Sequence, residues 1–193
     1  MARVRALMRI ARLQYELDES NRKLYQLSIT DYLTGLSNMR HFYSEAEKMF
    51  LRAGKKNGSM SVIMFDLDRF KNVVDTNGHP FGSKVLADIG GLMRSLIHGP
   101  DNILSRYGGD EFMIALEDAG EKKAEEVSGL LQRKLNSAVF EFEGKKVRGI
   151  SASFGVAVYK NGEHRDLQDM IRDADAAMFE AKENGRGLIR VRV

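Results

Sequence analysis

Acids stand in this chain where folding alone wants none. Asp110 and Glu111 follow Gly108 and Gly109 between the short apolar runs Ile103-Leu104 and Phe112-Met113-Ile114-Ala115-Leu116. Such runs around a Gly-Gly-acid turn read as a β-hairpin with two carboxylates at its tip. Glycine permits positive φ and lets a bulky ligand approach bare backbone. A further acid, Asp66, ends the apolar run Met60 to Phe65 and is followed by Leu67-Asp68. That run reads as a buried central strand. Acids at its carboxyl end are a common way to hold Mg²⁺ against a nucleotide. Lys182 and Arg186 lie four residues apart on a helical pattern, so they share a face and can grip one triphosphate. Each group also has a plainer reading. The hairpin acids suit a solvated turn, and the basic pair suits a helix C-terminus that complements the dipole. Together the types point to a metal-bound, phosphate-bearing substrate.

These groups need elements to position them. The chain has 193 residues, 43% hydrophobic and 30% charged, which suits one globular domain with an appendage. Cys 0 excludes disulfides and thiolate zinc, and a reducing cytoplasm fits. The histidines His41, His79, His98 and His164 show no metal-ligand spacing. No apolar run is long enough to span a bilayer, so direct membrane insertion is not expected. The net charge of +3 is mild and collects at Arg3, Arg5, Arg9 and Arg12, which makes no case for nucleic acid.

Residues 1–29 read as one helix. Ile10, Leu13, Leu17, Ser20, Leu24 and Leu27 alternate at three and four residues, a heptad seam that suits a parallel two-stranded stalk. The alternative is an amphipathic helix docked on its own domain. Residues 30–193 form the domain. Ser37 or Asn38 is a plausible N-cap for a helix bearing Phe42, Ala46, Met49 and Phe50, which Gly54 to Gly58 should end. After the strand come a short helical turn (Arg69 to Thr76), an Asn77-Gly78-His79-Pro80 turn and a helix from Phe81 to about Ile97. Beyond the hairpin the pattern predicts a helix over Glu121 to Ala138 and a small hairpin around Glu143-Gly144. A strand from Ile150 to Tyr159, a helix from Leu167 to Glu183 and a closing strand from Leu188 to Val193 follow. This order implies an α/β (α+β) sandwich with a mostly antiparallel central sheet flanked by helices.

Six blocks carry a resemblance. They are Asp31-Tyr32-Leu33-Thr34-Gly35-Leu36-Ser37-Asn38, Phe65-Asp66-Leu67-Asp68-Arg69-Phe70-Lys71, Gly78-His79, Arg106-Tyr107-Gly108-Gly109-Asp110-Glu111-Phe112, Ser153-Phe154-Gly155-Val156-Ala157 and Ala181-Lys182-Glu183-Asn184-Gly185-Arg186. In this order they resemble the GGDEF family of diguanylate cyclases, from about Thr30 onward. The resemblance implies a palm-like fold, two Mg²⁺ ions per site (Mn²⁺ an alternative), and a homodimer whose active sites face each other. It also implies a sensory domain upstream of the stalk. Residue by residue, it makes Asp66, Asp110, Glu111 and the Leu67 carbonyl metal ligands. Glu111 is also the family's acid implicated in deprotonating the 3′-hydroxyl. Gly108 and Gly109 admit ribose and α-phosphate, while Lys182, Arg186 and the amides around Arg69, Phe70 and Lys71 hold the β- and γ-phosphates.

Departures from the family pattern sharpen the expectation. Where guanine-only cyclases carry Asn before the acid at Asp75 and Asp four residues after His79, this chain has Val74 and Ser83. A carboxylate accepts from guanine N1–H and repels adenine N1, a contact worth about 1–3 kcal/mol by analogy with groove readout. Serine donates or accepts and can serve either purine. Ser83 therefore resembles the hybrid promiscuous subgroup, which implies GTP and ATP as substrates. The products would be cyclic GMP–AMP alongside cyclic di-GMP and cyclic di-AMP. The alternatives are a guanine-only diguanylate cyclase and a non-catalytic GTP-sensing module. The family's Arg-x-x-Asp feedback site is Gly99 and Asn102 here, so tight product inhibition is not expected. Met39, Phe179 and Gly187 also depart from the pattern.

Overall fold

The computed structural model describes residues 2–159 and 163–192, the side chains of 2–7, 11, 22, 23 and 26 excepted. Its helices are α1 (Ala2–Ile29), α2 (Met39–Lys56), α3 (Phe70–Asn77), α4 (His79–Leu96), α5 (Glu121–Ser137) and α6 (Leu167–Glu183). Its strands are β1 (Met60–Leu67), β2 (Asn102–Gly108), β3 (Glu111–Glu117), β4 (Val139–Phe142), β5 (Lys145–Arg148), β6 (Ala152–Val158) and β7 (Ile189–Arg192). Five strands form one sheet in the order β2-β3-β1-β6-β7, and β4 and β5 pair apart from it. Every pair in the sheet is antiparallel except β6–β7, as the element order implied.

Two apolar layers cover the two faces. Met60, Val62 and Met64 of β1 pack with α2 (Phe42, Met49) and α6 (Met170, Met178). Ile63, Phe65 and Leu67 pack on the other face with α4 (Phe81, Val85, Ile89) and α5 (Ala124, Leu131). β1 and β6 are central and covered on both sides, which is why the β1 run is nearly continuous rather than alternating. On three adjacent strands one phenylalanine meets the next. Phe65 stacks on Phe112 at 5.0 Å and on Phe154 at 4.9 Å between ring centres.

The expected elements are present, with boundaries that shift for identifiable reasons. α2 ends within the Gly54–Gly58 stretch, though not at Gly54 itself. The helix runs on to Lys56, and Asn57 closes it at φ 48, a left-handed position that asparagine tolerates. Asn38 is the N-cap, its side chain accepting from the His41 amide at 3.0 Å. α4 begins at His79 rather than Phe81. Proline fits a helix's first turn because the amide it lacks has no partner there, so Pro80 starts this helix and Gly78, at φ +95, alone makes the break. The apolar seam of α1 is not packed on the domain among the described side chains. Ile10, Leu13, Leu17, Leu24 and Leu27 are all more than half exposed, so the seam stays uncovered by its own domain. Arg3, Arg5 and the chain ends Met1 and Val193 lie outside the described residues or side chains. Among the described residues no helix is long and apolar enough to cross a membrane.

Candidate active site

Strand register assembles the acids. β1 pairs with β3 so that Phe65 faces Phe112 and Asp66 faces Glu111. It pairs with β6 so that Phe65 faces Phe154 and Asp66 faces Ser153. Alternate residues on a strand point to opposite faces. The stacked phenylalanines therefore lock one face, and the polar row Glu111–Asp66–Ser153 rises on the other. That is the face covered by α6, and Lys182 in its last turn reaches down to Asp66, Nζ to Oδ2 at 3.0 Å.

The hairpin tip is held from behind. The Arg106 guanidinium donates to the Gly109 carbonyl through Nε at 2.9 Å and NH2 at 2.6 Å. Its NH1 lies 3.6 Å from Asp31, whose carboxylate also accepts from the Thr34 amide and hydroxyl. The junction before α2 is thus tied to the hairpin. Gly109 needs its glycine, at φ +56, but Gly108 is not among the positive-φ positions and a Cβ there would meet nothing within 4 Å. Among the described residues nothing requires glycine at 108. Its open backbone is free for something outside the chain.

Charge in this row is unbalanced. Burial raises the Asp66 carboxyl from 3.8 to about 6, with Asp110 and Glu111 adding to the rise and Lys182 opposing it. Glu111 is also raised, first by burial and then by Asp110 and Asp175. Several carboxylates share one ammonium, so added positive charge is favoured. Among the described residues no three acids or imidazoles form a ready-made metal shell. The donors still fit Mg²⁺, which takes one or two carboxylates and fills its remaining positions with water and substrate phosphates.

Beside the tip opens a cleft of about 580 Å³ lined by residues that include Phe70, Lys71, Val74, Asp75, Ser83, Gly109 and Asp110. Ser83 and Val74 therefore share a wall with a hairpin acid. Val74 also has a packing role, since a Cβ on Gly82 would lie 2.7 Å from its methyl group. Phe70 is buried as core, so only its backbone could serve phosphates. Arg69 stands at φ 55 as the N-cap of α3. Leu67 is buried too, its amide donating to the Asp110 carbonyl at 3.3 Å. Arg186 is exposed on the turn after α6, at φ 65.

Some positions do other work. The Asn102 side chain donates to the His98 carbonyl at 2.6 Å, and Gly99 sits at φ +110. Both shape the loop before β2. Phe179 is 57% exposed, and Met39 Sδ lies 3.5 Å from the Ser105 hydroxyl. Gly187 hydrogen-bonds through its amide to Asp68, a role that Asp68's place in the sequence does not reveal, because the partners are 119 residues apart. Arg106 was likewise invisible as a clamp, although it lies beside the acids it orders.

Residues 28–188 match the family described as "Diguanylate cyclase, GGDEF domain". The chain is 36% identical over 162 residues to diguanylate cyclase DgcS of Shewanella oneidensis, covering 83% of this chain and 52% of that protein. It is 30% identical over 173 residues to diguanylate cyclase A of Treponema denticola, covering 88% of this chain and 46% of that one. The chain thus spans about half the length of these relatives. Its fold matches a crystal structure of Pseudomonas aeruginosa diguanylate cyclase SiaD, solved with its activator SiaC. The TM-score is 0.81 at 29% identity, over 98% of this chain and 73% of that one. A family match of that extent, on a chain whose Gly-Gly-Asp-Glu-Phe run folds as an open-backed hairpin against Asp66, shows that this chain belongs to the GGDEF family of diguanylate cyclase domains.

Proposed function

We propose that this domain is a nucleotidyltransferase that condenses two molecules of GTP into cyclic di-GMP, releasing pyrophosphate. The observation that carries the reading is the Asp66–Glu111 register pair with Lys182 drawn onto it, beside open hairpin backbone. The names of the relatives support the product.

In each half-reaction a 3′-hydroxyl oxygen attacks the α-phosphorus of the other nucleotide. A new P–O bond forms, the bond to the β-phosphate's bridging oxygen breaks, and pyrophosphate leaves with that electron pair. Asp66, Glu111 and Asp110, with the Leu67 carbonyl, would hold Mg²⁺, which supplies charge neutralisation for the attacking oxygen and the departing pyrophosphate. Glu111 is also the acid that would take the hydroxyl proton. Gly108 and Gly109 let the α-phosphate lie against backbone. Lys182 exchanges Asp66 for the phosphates, and Arg186 meets the same chain of phosphates from the following turn. The base enters the cleft toward Ser83. One domain holds one nucleotide, so two domains must face each other, and that positioning is worth roughly 7–11 kcal/mol of barrier.

A second reading rests on Ser83. In the cleft wall position 83, four residues after His79, carries a hydroxyl in place of the carboxylate that would reject adenine, with the apolar Val74 nearby, so ATP enters too and cyclic GMP–AMP is formed. One experiment separates the readings: Mg²⁺ with equal GTP and ATP, products identified by mass spectrometry, for wild type, Asp66→Asn and Ser83→Asp. Asp66→Asn abolishes all products if the domain is a cyclase. Activity that survives it overturns the mechanism, and no product from wild type leaves a GTP-sensing module. Mixed products from wild type that collapse to cyclic di-GMP in Ser83→Asp establish the second reading, whereas cyclic di-GMP alone from both removes it.

A further inference from the structure

Asp68 lies two residues beyond Asp66, yet its carboxylate turns away to a different task. Oδ1 accepts from the Ser153 hydroxyl at 2.7 Å, and Oδ2 accepts from the Ser151 hydroxyl at 2.6 Å and the Gly187 amide at 3.0 Å. The Ser153 hydroxyl lies 3.2 Å from that amide as well, and the Asp68 amide donates to the Ser151 carbonyl at 2.8 Å. One side chain therefore joins the end of β1, the start of β6 and the turn after α6.

That turn is unusual. Gly185, Arg186 and Gly187 take φ values of 116, 65 and 61 in succession. Left-handed backbone is costly for a residue with a Cβ, and a non-glycine holds it only where its surroundings impose it. The imposition is visible on both sides of Arg186. The Arg186 amide donates to the Ala181 carbonyl at 3.1 Å. On the far side Gly187 is pinned at both its polar groups, its amide by Asp68 and its carbonyl by the Gln132 side chain at 2.9 Å. Ser153, which Asp68 holds, is also the register partner of Asp66.

We propose that Asp68 is a positioning residue for triphosphate binding: by fixing Gly187 it sets where the Arg186 guanidinium stands relative to the Asp66 row. This rests on the reading of Arg186 as a phosphate contact. The Asp68 carboxylate is committed to the two serine hydroxyls and the Gly187 amide. Asparagine in its place keeps the size but removes the negative charge that strengthens the bond from the Gly187 amide, and offers one acceptor atom where the carboxylate has two. The anchor of the turn is then weakened while the sheet keeps its register.

The test is calorimetric binding of guanosine 5′-[α,β-methylene]triphosphate and of GMP, each with Mg²⁺, to wild type, Asp68→Asn, Arg186→Ala and the double variant. Asp68→Asn should weaken the triphosphate on the order of tenfold, the loss of a contact to a charged group, and leave GMP nearly unchanged. In the double variant the Asp68 effect should vanish, since it acts through a side chain already gone. Gln132→Ala, which frees the same glycine from its other side, should show the same selective loss and serves if Asp68→Asn fails to fold. If Arg186→Ala leaves triphosphate affinity unchanged, the phosphate-contact reading itself fails. If Arg186→Ala weakens binding while Asp68→Asn does not, or affects GMP equally, or adds its full effect in the double variant, Asp68 is only a structural tie and the inference is overturned.

Discussion

At the scale of single residues, Asp66 shows what the site costs. Its carboxyl is raised from 3.8 to about 6, mainly by burial and despite Lys182 at 3.0 Å. A raised carboxyl favours the folded state while protonated. That contribution is complete below about pH 4 and is lost as pH rises through about 6. At roughly 1.36 kcal/mol per unit it amounts to at most about 3 kcal/mol. Asp66→Asn should therefore melt above wild type at pH 7, with the difference closing near pH 4, as read by thermal denaturation without metal. Mg²⁺ acts in the opposite direction because it binds the ionised form. It should raise the wild-type melting temperature at pH 7, have little effect at pH 4.5, and do nothing for Asp66→Asn. A wild type more stable than Asp66→Asn at pH 7 without metal would mean that the Lys182 pair outweighs the burial.

At the scale of elements, the site depends on how closely α6 lies on β6. A Cβ at Gly155 would stand 1.9 Å from the Ala174 carbonyl oxygen and 2.2 Å from the Met178 amide nitrogen. These are backbone atoms of α6 and cannot swing aside. Gly155→Ala should destabilise the fold by about 3 kcal/mol, the upper end of overpacking costs, measured by urea denaturation. Whatever survives should bind triphosphate poorly, because lifting α6 carries Lys182 away from Asp66. Retained stability and binding would show that α6 can shift without losing its grip. The Phe112–Phe65–Phe154 stack is the counterpart on the other face, holding the strands whose adjacent residues are Glu111, Asp66 and Ser153.

At the scale of the whole molecule, α1 presents Ile10, Leu13, Leu17, Leu24 and Leu27 to solvent, in a spacing that suits a second copy of the same helix. Facing domains would be brought together by that contact, whose effect is an increased local concentration. Deleting residues 2–27 should leave the domain folded but cut the rate of product formation at least tenfold at nanomolar protein, by analogy with linked binding modules. The rate should recover as concentration rises. Equal rates at low concentration for both forms would remove α1 from the assembly.

The heptad seam, the strand bearing Asp66, the hairpin with its acids and the helix bearing Lys182 could all be read from local pattern, because each is set by periodicity and turn chemistry within a few residues. The sequence order of the blocks was also enough to indicate the family. Other features depended on contacts between distant segments. No local pattern shows that Ser153 faces Asp66, that Lys182 pairs with that acid, or that Asp68 anchors a turn 119 residues away. Strand register and helix docking decide those contacts. For Gly108 the sequence already suggested backbone open to a ligand, and the structure added that its φ is not positive and that a Cβ there would meet nothing within 4 Å.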